Sequence, residues 1–389
     1  MTMTRPPRNA PPRSLRAVCA LVLAAFACCG FARADSIPPN AVLGERVEFI
    51  RNNKLLPVNL QVTIFQPVGT GPFPVVVLNH GRDLGNNRLQ SRNRTLHATR
   101  EFLKRGYAVV APMRQGFADS GGAAVGEGCN TEANGEAQAE DIAAVVQWLA
   151  RQPWADSGRM VMMGQSHGGL ATMAYSQHPD PGFKLFVNFA GGLRSAGGCP
   201  WELALRDAMG SYGKTSRTPS LWFYGENDSL FPPNVIKPVF QTFLAAGGRG
   251  EMIAYPPFGV DAHGMFGSAD GLDIWLDKVL AGLKEAGMPT DVVAPQYGLS
   301  PDVPAPTNYA RIDDLEALNR AHAGGEESYR KFLGKRSPRA FVVAPGAGKQ
   351  AYTWGGDDPQ RLALQLCQER HHAICTVYAV DDNVVWRQP

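Results

Sequence analysis

Between Val47 and about Gly287 the chain is punctuated by short, wholly apolar runs: Val75-Val76-Val77-Leu78, Ala108-Val109-Val110, Met160 to Met163, Leu185-Phe186-Val187 and Leu221-Trp222-Phe223-Tyr224. A strand with one wet face alternates apolar and polar residues, whereas an unbroken apolar run predicts a strand buried on both faces. Between the second and third of these runs, Ile142, Val145, Val146 and Leu149 recur at helical spacing, which predicts a helix laid on the sheet. Strand and helix patterns that alternate in this way predict an α/β architecture with a mostly parallel sheet.

The pattern then changes. Pro289, Pro295, Pro301, Pro304 and Pro306 suit neither element, and residues 289–308 are expected to form a semi-rigid linker. Beyond it we expect a helix near 312–321, a strand around Ala340 to Val343, and a helix opened by Asp358-Pro359 and ending near Arg370. Strands from Cys375 to Val380 and Asn383 to Trp386 would close a hairpin at Asp381-Asp382. The expected layout is therefore a large α/β domain over 35–288 and a small C-terminal α+β domain over 309–389, without internal repeats.

The N-terminus changes the charge and cysteine picture. Arg5, Arg8, Arg13 and Arg16 precede an apolar stretch from Ala17 to Phe31, and Ala32-Arg33-Ala34 precedes Asp35, the order of a signal peptide over residues 1–34. The apolar stretch falls short of the roughly 20 residues that span a bilayer. Export to the periplasm or medium is expected. A lipoprotein anchored through Cys28 or Cys29 is the minor alternative, because Ala25-Phe26-Ala27 lacks the usual Leu three residues before the cysteine. Cleavage would remove five of 38 Lys and Arg and no acid, leaving 33 basic against 35 acidic residues. That balance gives no support for nucleic-acid binding. It would also leave Cys129, Cys199, Cys367 and Cys375, an even number in an oxidising compartment. Four cysteines permit three pairings. The proximity of Cys367 and Cys375 within the small domain favours 367 with 375 and 129 with 199. No spaced His/Cys cluster suggests zinc, and neither a metal nor an organic cofactor is expected.

The chemistry concentrates where the strand ending at Met163 runs into Gly164-Gln165-Ser166-His167-Gly168-Gly169, with helix-forming residues from Leu170 to Ala174. A strained strand–turn–helix carrying a nucleophile needs glycine two residues either side of the serine. If Ser166 is the nucleophile, acid and base follow it in that order. His80, His97 and His178 are thereby excluded as bases; His322, His371 and His372 lie beyond the proline-rich stretch, leaving His263. The buried strand Leu221 to Tyr224 ends in Gly225-Glu226-Asn227-Asp228, so Asp228 is the expected acid, Glu226 the reserve candidate, and Asp261 is expected to face elsewhere. The backbone N–H groups of His167 and Arg82 are the expected oxyanion donors. His80 is expected to brace the loop without transferring protons.

With Pro72-Phe73-Pro74 ahead of a strand ending in His80-Gly81, the run Arg114-Gln115-Gly116-Phe117-Ala118-Asp119-Ser120-Gly121-Gly122, the elbow, Gly225 to Asp228 and Ala262-His263-Gly264, the region over about 41–288 resembles the dienelactone-hydrolase and prolyl-oligopeptidase-like branch of the α/β-hydrolases. The resemblance implies an eight-stranded, mostly parallel sheet and a triad of Ser166, Asp228 and His263. It does not imply a lactone substrate, since true dienelactone hydrolases carry cysteine where this chain has Ser166. The expected function is ester hydrolysis through an acyl-enzyme. A peptidase on the same triad and a non-catalytic binding protein are the alternatives.

Three further expectations concern the surroundings. Arg82, Arg88, Arg92 and Arg94 against a single Asp83 would favour a polar or anionic substituent, with a solvated basic loop as the competing reading. The Gly-rich segment from Gln115 to Gly135 would cover the site. The substrate would be a small ester or short peptide, and the C-terminal domain would serve to recruit an envelope partner.

Overall fold

The computed structural model describes residues 1–2 and 39–389 apart from 84, 127, 179, 196–197, 299–303, 336, 355–358 and 388–389. The expected signal peptide, the lipoprotein alternative at Cys28 and Cys29, Pro301 and the Asp358 cap lie outside the described residues.

The strands β1 (Glu45–Arg51), β2 (Asn59–Phe65), β3 (Phe73–Asn79), β4 (Ala108–Pro112), β5 (Ala155–Gln165), β6 (Phe183–Phe189), β7 (Ser220–Gly225) and β8 (Gly250–Tyr255) form one sheet in the order β1-β2-β4-β3-β5-β6-β7-β8. β2 pairs antiparallel with both β1 and β4, and all pairings from β4 to β8 are parallel. The apolar runs are strands because they feed two cores at once. Val75, Val77, Met160 and Met162 point into one core, and Val76, Leu78, Val161 and Met163 into the other. That is the period-2 geometry of a pleated strand covered on both sides.

The helices α1 (Leu96–Lys104), α2 (Thr131–Leu149), α3 (His167–Tyr175), α4 (Trp201–Gly213), α5 (Pro233–Ala245) and α6 (Leu272–Glu285) supply the cover. α2 to α5 fill one face, with Ile142, Leu170, Met209 and Phe243 in its core; α1 and α6 fill the other through Phe102 and Trp275. From β4 at one side of β3 the chain crosses to β5 at the other, so the order reverses at β3 and a crevice opens at the carboxyl ends of β3 and β5.

A second sheet, entirely antiparallel, is built from β9 (Arg339–Ala344), β10 (Lys349–Trp354), β11 (Thr376–Val380) and β12 (Asn383–Val384) in the order β10-β9-β11-β12. Helices α7 (Leu315–Ala321) and α8 (Glu326–Leu333) pack on one face around Phe341, and α9 (Pro359–His371) packs on the other around Val342. The helix expected from 312 starts at Leu315, because the Asp314 carboxylate caps it by accepting the Ala317 N–H at 2.9 Å. The expected strand to Trp386 is paired only over Asn383–Val384.

The proline-rich stretch is less of a spacer than its composition suggests. Val293 and Ala294 each donate their N–H to the Lys104 carbonyl at 2.9 Å. Tyr297 is buried, its hydroxyl accepting the Val68 N–H at 2.9 Å. One buried aromatic anchor thus docks the first half of the stretch on the end of α1.

Candidate active site

Ser166 sits between β5 and α3 at φ 55°, a backbone conformation that costs a non-glycine residue free energy and recurs at functional sites. The flanking glycines are needed for close approach. A Cβ on Gly164 would strike the Gly168 carbonyl and Thr172, and one on Gly168 would strike the Asn79 and His80 carbonyls. The main chain of Ser166 is fixed from the neighbouring strand, its N–H donating to the Phe189 carbonyl at 2.9 Å and its carbonyl accepting the Gly192 N–H at 3.2 Å.

Asp228 follows β7 with its side chain fully buried. One oxygen, Oδ1, accepts the N–H groups of Leu230 and Phe231, both at 2.9 Å. The other, Oδ2, lies 3.2 Å from His263 Nδ1. His263 belongs to a short 3-10 turn, Ala262–Gly264, between β8 and α6, and its ring rests against that of Phe231. Ser166 and His263 line the same pocket, and no hydrogen bond joins their side chains among the described residues. Such links are often long without substrate and tighten when it binds.

The rejected carboxylates have other positions. Asp261 caps the turn, accepting from the His263 N–H at 3.0 Å and the Ser229 hydroxyl at 2.6 Å. Burial would raise its pKa, but these hydrogen bonds outweigh that and hold it below the usual aspartate value. Glu226 is exposed.

His80 and His167 are buried and neutral for the same reason. Desolvation, followed by the charge of Arg114, pushes both well below the ordinary histidine value. His80 accepts the Arg114 N–H at Nε2 (3.0 Å), so its proton sits on Nδ1 and is donated to the Gly81 carbonyl at 2.6 Å. It holds the loop that carries Arg82 against β4. His167 is the first residue of α3, so its N–H has no intrahelical acceptor and remains available at the helix N-terminus. Its ring is lodged between Asn134 and Gln138 of α2, at 2.9 and 2.7 Å.

Three residues of the site escaped the sequence analysis. Gln165 donates to the His263 carbonyl at 3.0 Å, tying the elbow to the histidine turn. Asn227 does the same from the other side, donating to the Gly259 carbonyl and accepting the Phe258 N–H, both at 2.9 Å. Leu362 of α9 lines the pocket from the second sheet. Gln165 lies inside the elbow and Asn227 inside the Gly225 to Asp228 run, so both could have been suspected; Leu362 carries no sequence signal.

Three of the four arginines of the basic loop are engaged inside the protein, while the exposed Arg82 donates to Asn87 Oδ1 at 3.1 Å. Arg94 makes a bidentate pair with Glu45 of β1 at 2.8 and 2.7 Å, and Arg92 contacts the same carboxylate, all three side chains being buried. Arg88 donates to the carbonyls of Ala118, Ser120 and Gly122. A guanidinium taken out of water needs acceptors, and these three have found theirs inside the protein. The basis for the expected preference for anions narrows to Arg82, which is exposed and lines the pocket beside Asp83. The segment from Gln115 to Gly135 also differs from expectation. None of its described residues lines the pocket, and the end of that segment enters α2 behind His167. Cys129 and Cys199 stand with Cα atoms 5.4 Å apart, bonding the start of α2 to the loop after β6; Cys367 and Cys375 form the second pair at 6.3 Å.

The profile of the X-Pro dipeptidyl-peptidase (S15) family matches residues 57–201. Dipeptidyl-peptidase 5 of Porphyromonas gingivalis is 24% identical over 183 residues, which cover 40% of this chain but only 26% of that protein. Among solved structures, a Klebsiella pneumoniae protein described as a dienelactone hydrolase is 20% identical, covering 62% of this chain and 99% of its own, with a TM-score of 0.44. An esterase of Pyrococcus furiosus is 15% identical, covering 64% and 95%, with a TM-score of 0.46. The strand order with its antiparallel β2, the reversal at β3 and the strand–turn–helix at Ser166 define an α/β-hydrolase fold. The chain therefore has the α/β-hydrolase fold, with Ser166 at the tight turn between β5 and α3.

Proposed function

We propose that the protein is a serine hydrolase that cleaves carboxylic esters through an acyl-enzyme. The observation that carries this is the buried Asp228 carboxylate, held by two backbone amides and facing at 3.2 Å the Nδ1 of His263, which lines one pocket with Ser166. The carboxylate fixes the imidazole proton on Nδ1 and leaves Nε2 as the base. Ser166 Oγ attacks the ester carbonyl as His263 takes its proton. The backbone N–H groups of His167 and Arg82 receive the oxyanion, where losing one donor costs about 3 kcal/mol. Collapse expels the alcohol, protonated by His263, and water releases the acid by the same steps. Every proton and charge in this cycle is handled by the chain's own groups.

The experiment is to treat residues 35–389 and Ser166→Ala with a fluorophosphonate probe and with p-nitrophenyl esters of increasing acyl length. Labelling and turnover in the wild type, both lost in the variant, are expected. Absence of both in the wild type would leave a binding protein that kept the fold.

A peptidase reading is favoured by one observation, the S15 profile match over 57–201. Asp83 is the carboxylate of the pocket wall that would meet a substrate amine. Cleavage of an X-Pro dipeptide p-nitroanilide, lost in Asp83→Asn while ester turnover persists, would establish it.

We further read residues 1–34 as a signal peptide and the mature protein as periplasmic or secreted, a reading supported by the two cysteine pairs. The division we propose is a catalytic domain over 35–288, a linker over 289–308 and an accessory domain over 309–389. No described helix is long and apolar enough to cross a membrane.

A further inference from the structure

The catalytic pocket, about 420 Å³, takes part of its wall from outside the large sheet. The loops after β3 give it a polar side through residues such as Asn79, Asp83 and Gln90, while Phe266 and Leu362 contribute apolar surface. Leu362 is in the first turn of α9. Its neighbours on that helix serve the second sheet: Ala363 and Cys367 are fully buried in the layer around Val342, and Leu364 and Leu366 pack on the same layer. Leu362 is half-buried and turned to the catalytic pocket instead.

The helix is held at both ends. The Thr353 hydroxyl of β10 donates to the Pro359 carbonyl at 2.5 Å, and Cys367 is bonded to Cys375 just ahead of β11. The β11–β12 turn also lies within electrostatic range of α1: burial lowers the pKa of His97, and the Asp381 carboxylate opposes that shift.

We propose that Leu362 determines specificity: with Phe266 it forms an apolar subsite for a hydrocarbon substituent of the substrate, so that the second sheet unit takes part in selecting it. The proposal rests on the ester-hydrolase reading above. An apolar wall discriminates by contact and by space. A single methylene that fits or fails to fit an apolar pocket changes kcat/KM by about tenfold or more.

The test compares wild type, Leu362→Ala and Leu362→Trp on p-nitrophenyl esters from acetate to decanoate and on acetate esters of increasing alcohol size. Ratios of kcat/KM between substrates are read, because they are independent of the fraction of protein correctly folded. Alanine is expected to move the optimum to longer chains and tryptophan to shorter ones, with ratios changing about tenfold in at least one series. Ratios unchanged within about twofold in both series, with wild type active, would overturn the proposal. Labelling rates with short- and long-alkyl fluorophosphonates give the second readout. If esters are not turned over but the variants still reorder these rates, the ester reading falls and the subsite stands. If the wild type is not labelled at all, both fall.

Discussion

Replacing Asp228 by asparagine keeps the shape of the side chain and reverses one hydrogen bond. In the wild type Oδ1 accepts two backbone N–H groups at 2.9 Å, and Oδ2 faces His263 Nδ1 at 3.2 Å. Those amides require an acceptor, so the asparagine oxygen must take the Oδ1 position. The opposite flip would leave two buried N–H groups facing an NH2, at about 1–3 kcal/mol for each unsatisfied donor. The NH2 therefore points at His263 Nδ1, which can then only accept. The ring proton moves to Nε2, the nitrogen that should take the proton of Ser166. The expected loss is about 10⁴ in kcat, or about 5.5 kcal/mol, with the melting temperature moving by only a few degrees. Ester turnover measured beside thermal unfolding checks this, with the exposed Glu226→Gln as the control expected to keep wild-type activity. An Asp228→Asn enzyme within tenfold of wild type, or an equal loss in Glu226→Gln, would refute the assignment of the acid.

The remaining predictions concern stability and the loops. His80 and His167 have folded pKa values well below the ordinary 6.5, so the unfolded chain binds more protons below that pH and stability is lost as pH falls from there. With both contributing, urea unfolding at pH 5.5 should give about 3 kcal/mol less than at pH 7.5, and equal values would contradict it. Glu45, its pKa lowered because the hydrogen bond and charge of Arg94 and the charge of Arg92 outweigh burial, contributes stability above 4.5 that disappears as pH falls through its folded value. Glu45→Gln should therefore lose about 3 kcal/mol at pH 7, a gap that narrows below pH 4.5; a constant gap would speak against the pairing. Graded reduction should abolish ester turnover before global unfolding, because the Cys129–Cys199 bond fastens the start of the helix whose Asn134 and Gln138 hold His167. Coincident loss of activity and fold would argue otherwise.

The parts of the molecule that could be read from the sequence are those whose cause is local. Strands β3 to β7 announce themselves because burial on both faces leaves no polar residue in the run. The elbow does so because two glycines are demanded within five residues. Other elements were missed because their cause is distant. Gly210 and Gly213 make α4 look like a poor helix, yet they sit where a Cβ would press on Thr242 and the Phe243 carbonyl of α5. Pro238 inside α5 has the same discouraging effect. The four arginines of the β3 loop read as surface charge because the carboxylate that neutralises Arg92 and Arg94 is Glu45, more than forty positions earlier. No window on the sequence brings those residues together.

Leu362 marks a limit of a different kind, because periodicity reports that a side chain is buried and not what buries it. Residues 362, 363, 364, 366 and 367 give α9 an apolar stripe wider than one sheet face requires. Part of that width covers the second sheet and part reaches the catalytic pocket. The two uses are mechanically linked, since the helix that seats Leu362 is itself seated through Ala363 and Cys367 on Ala340 and Val342. A change in that layer acts on the pocket without touching it, and would appear as altered substrate ratios before any loss of the Ser166, Asp228 and His263 arrangement, which is held from β5, β7 and the turn after β8.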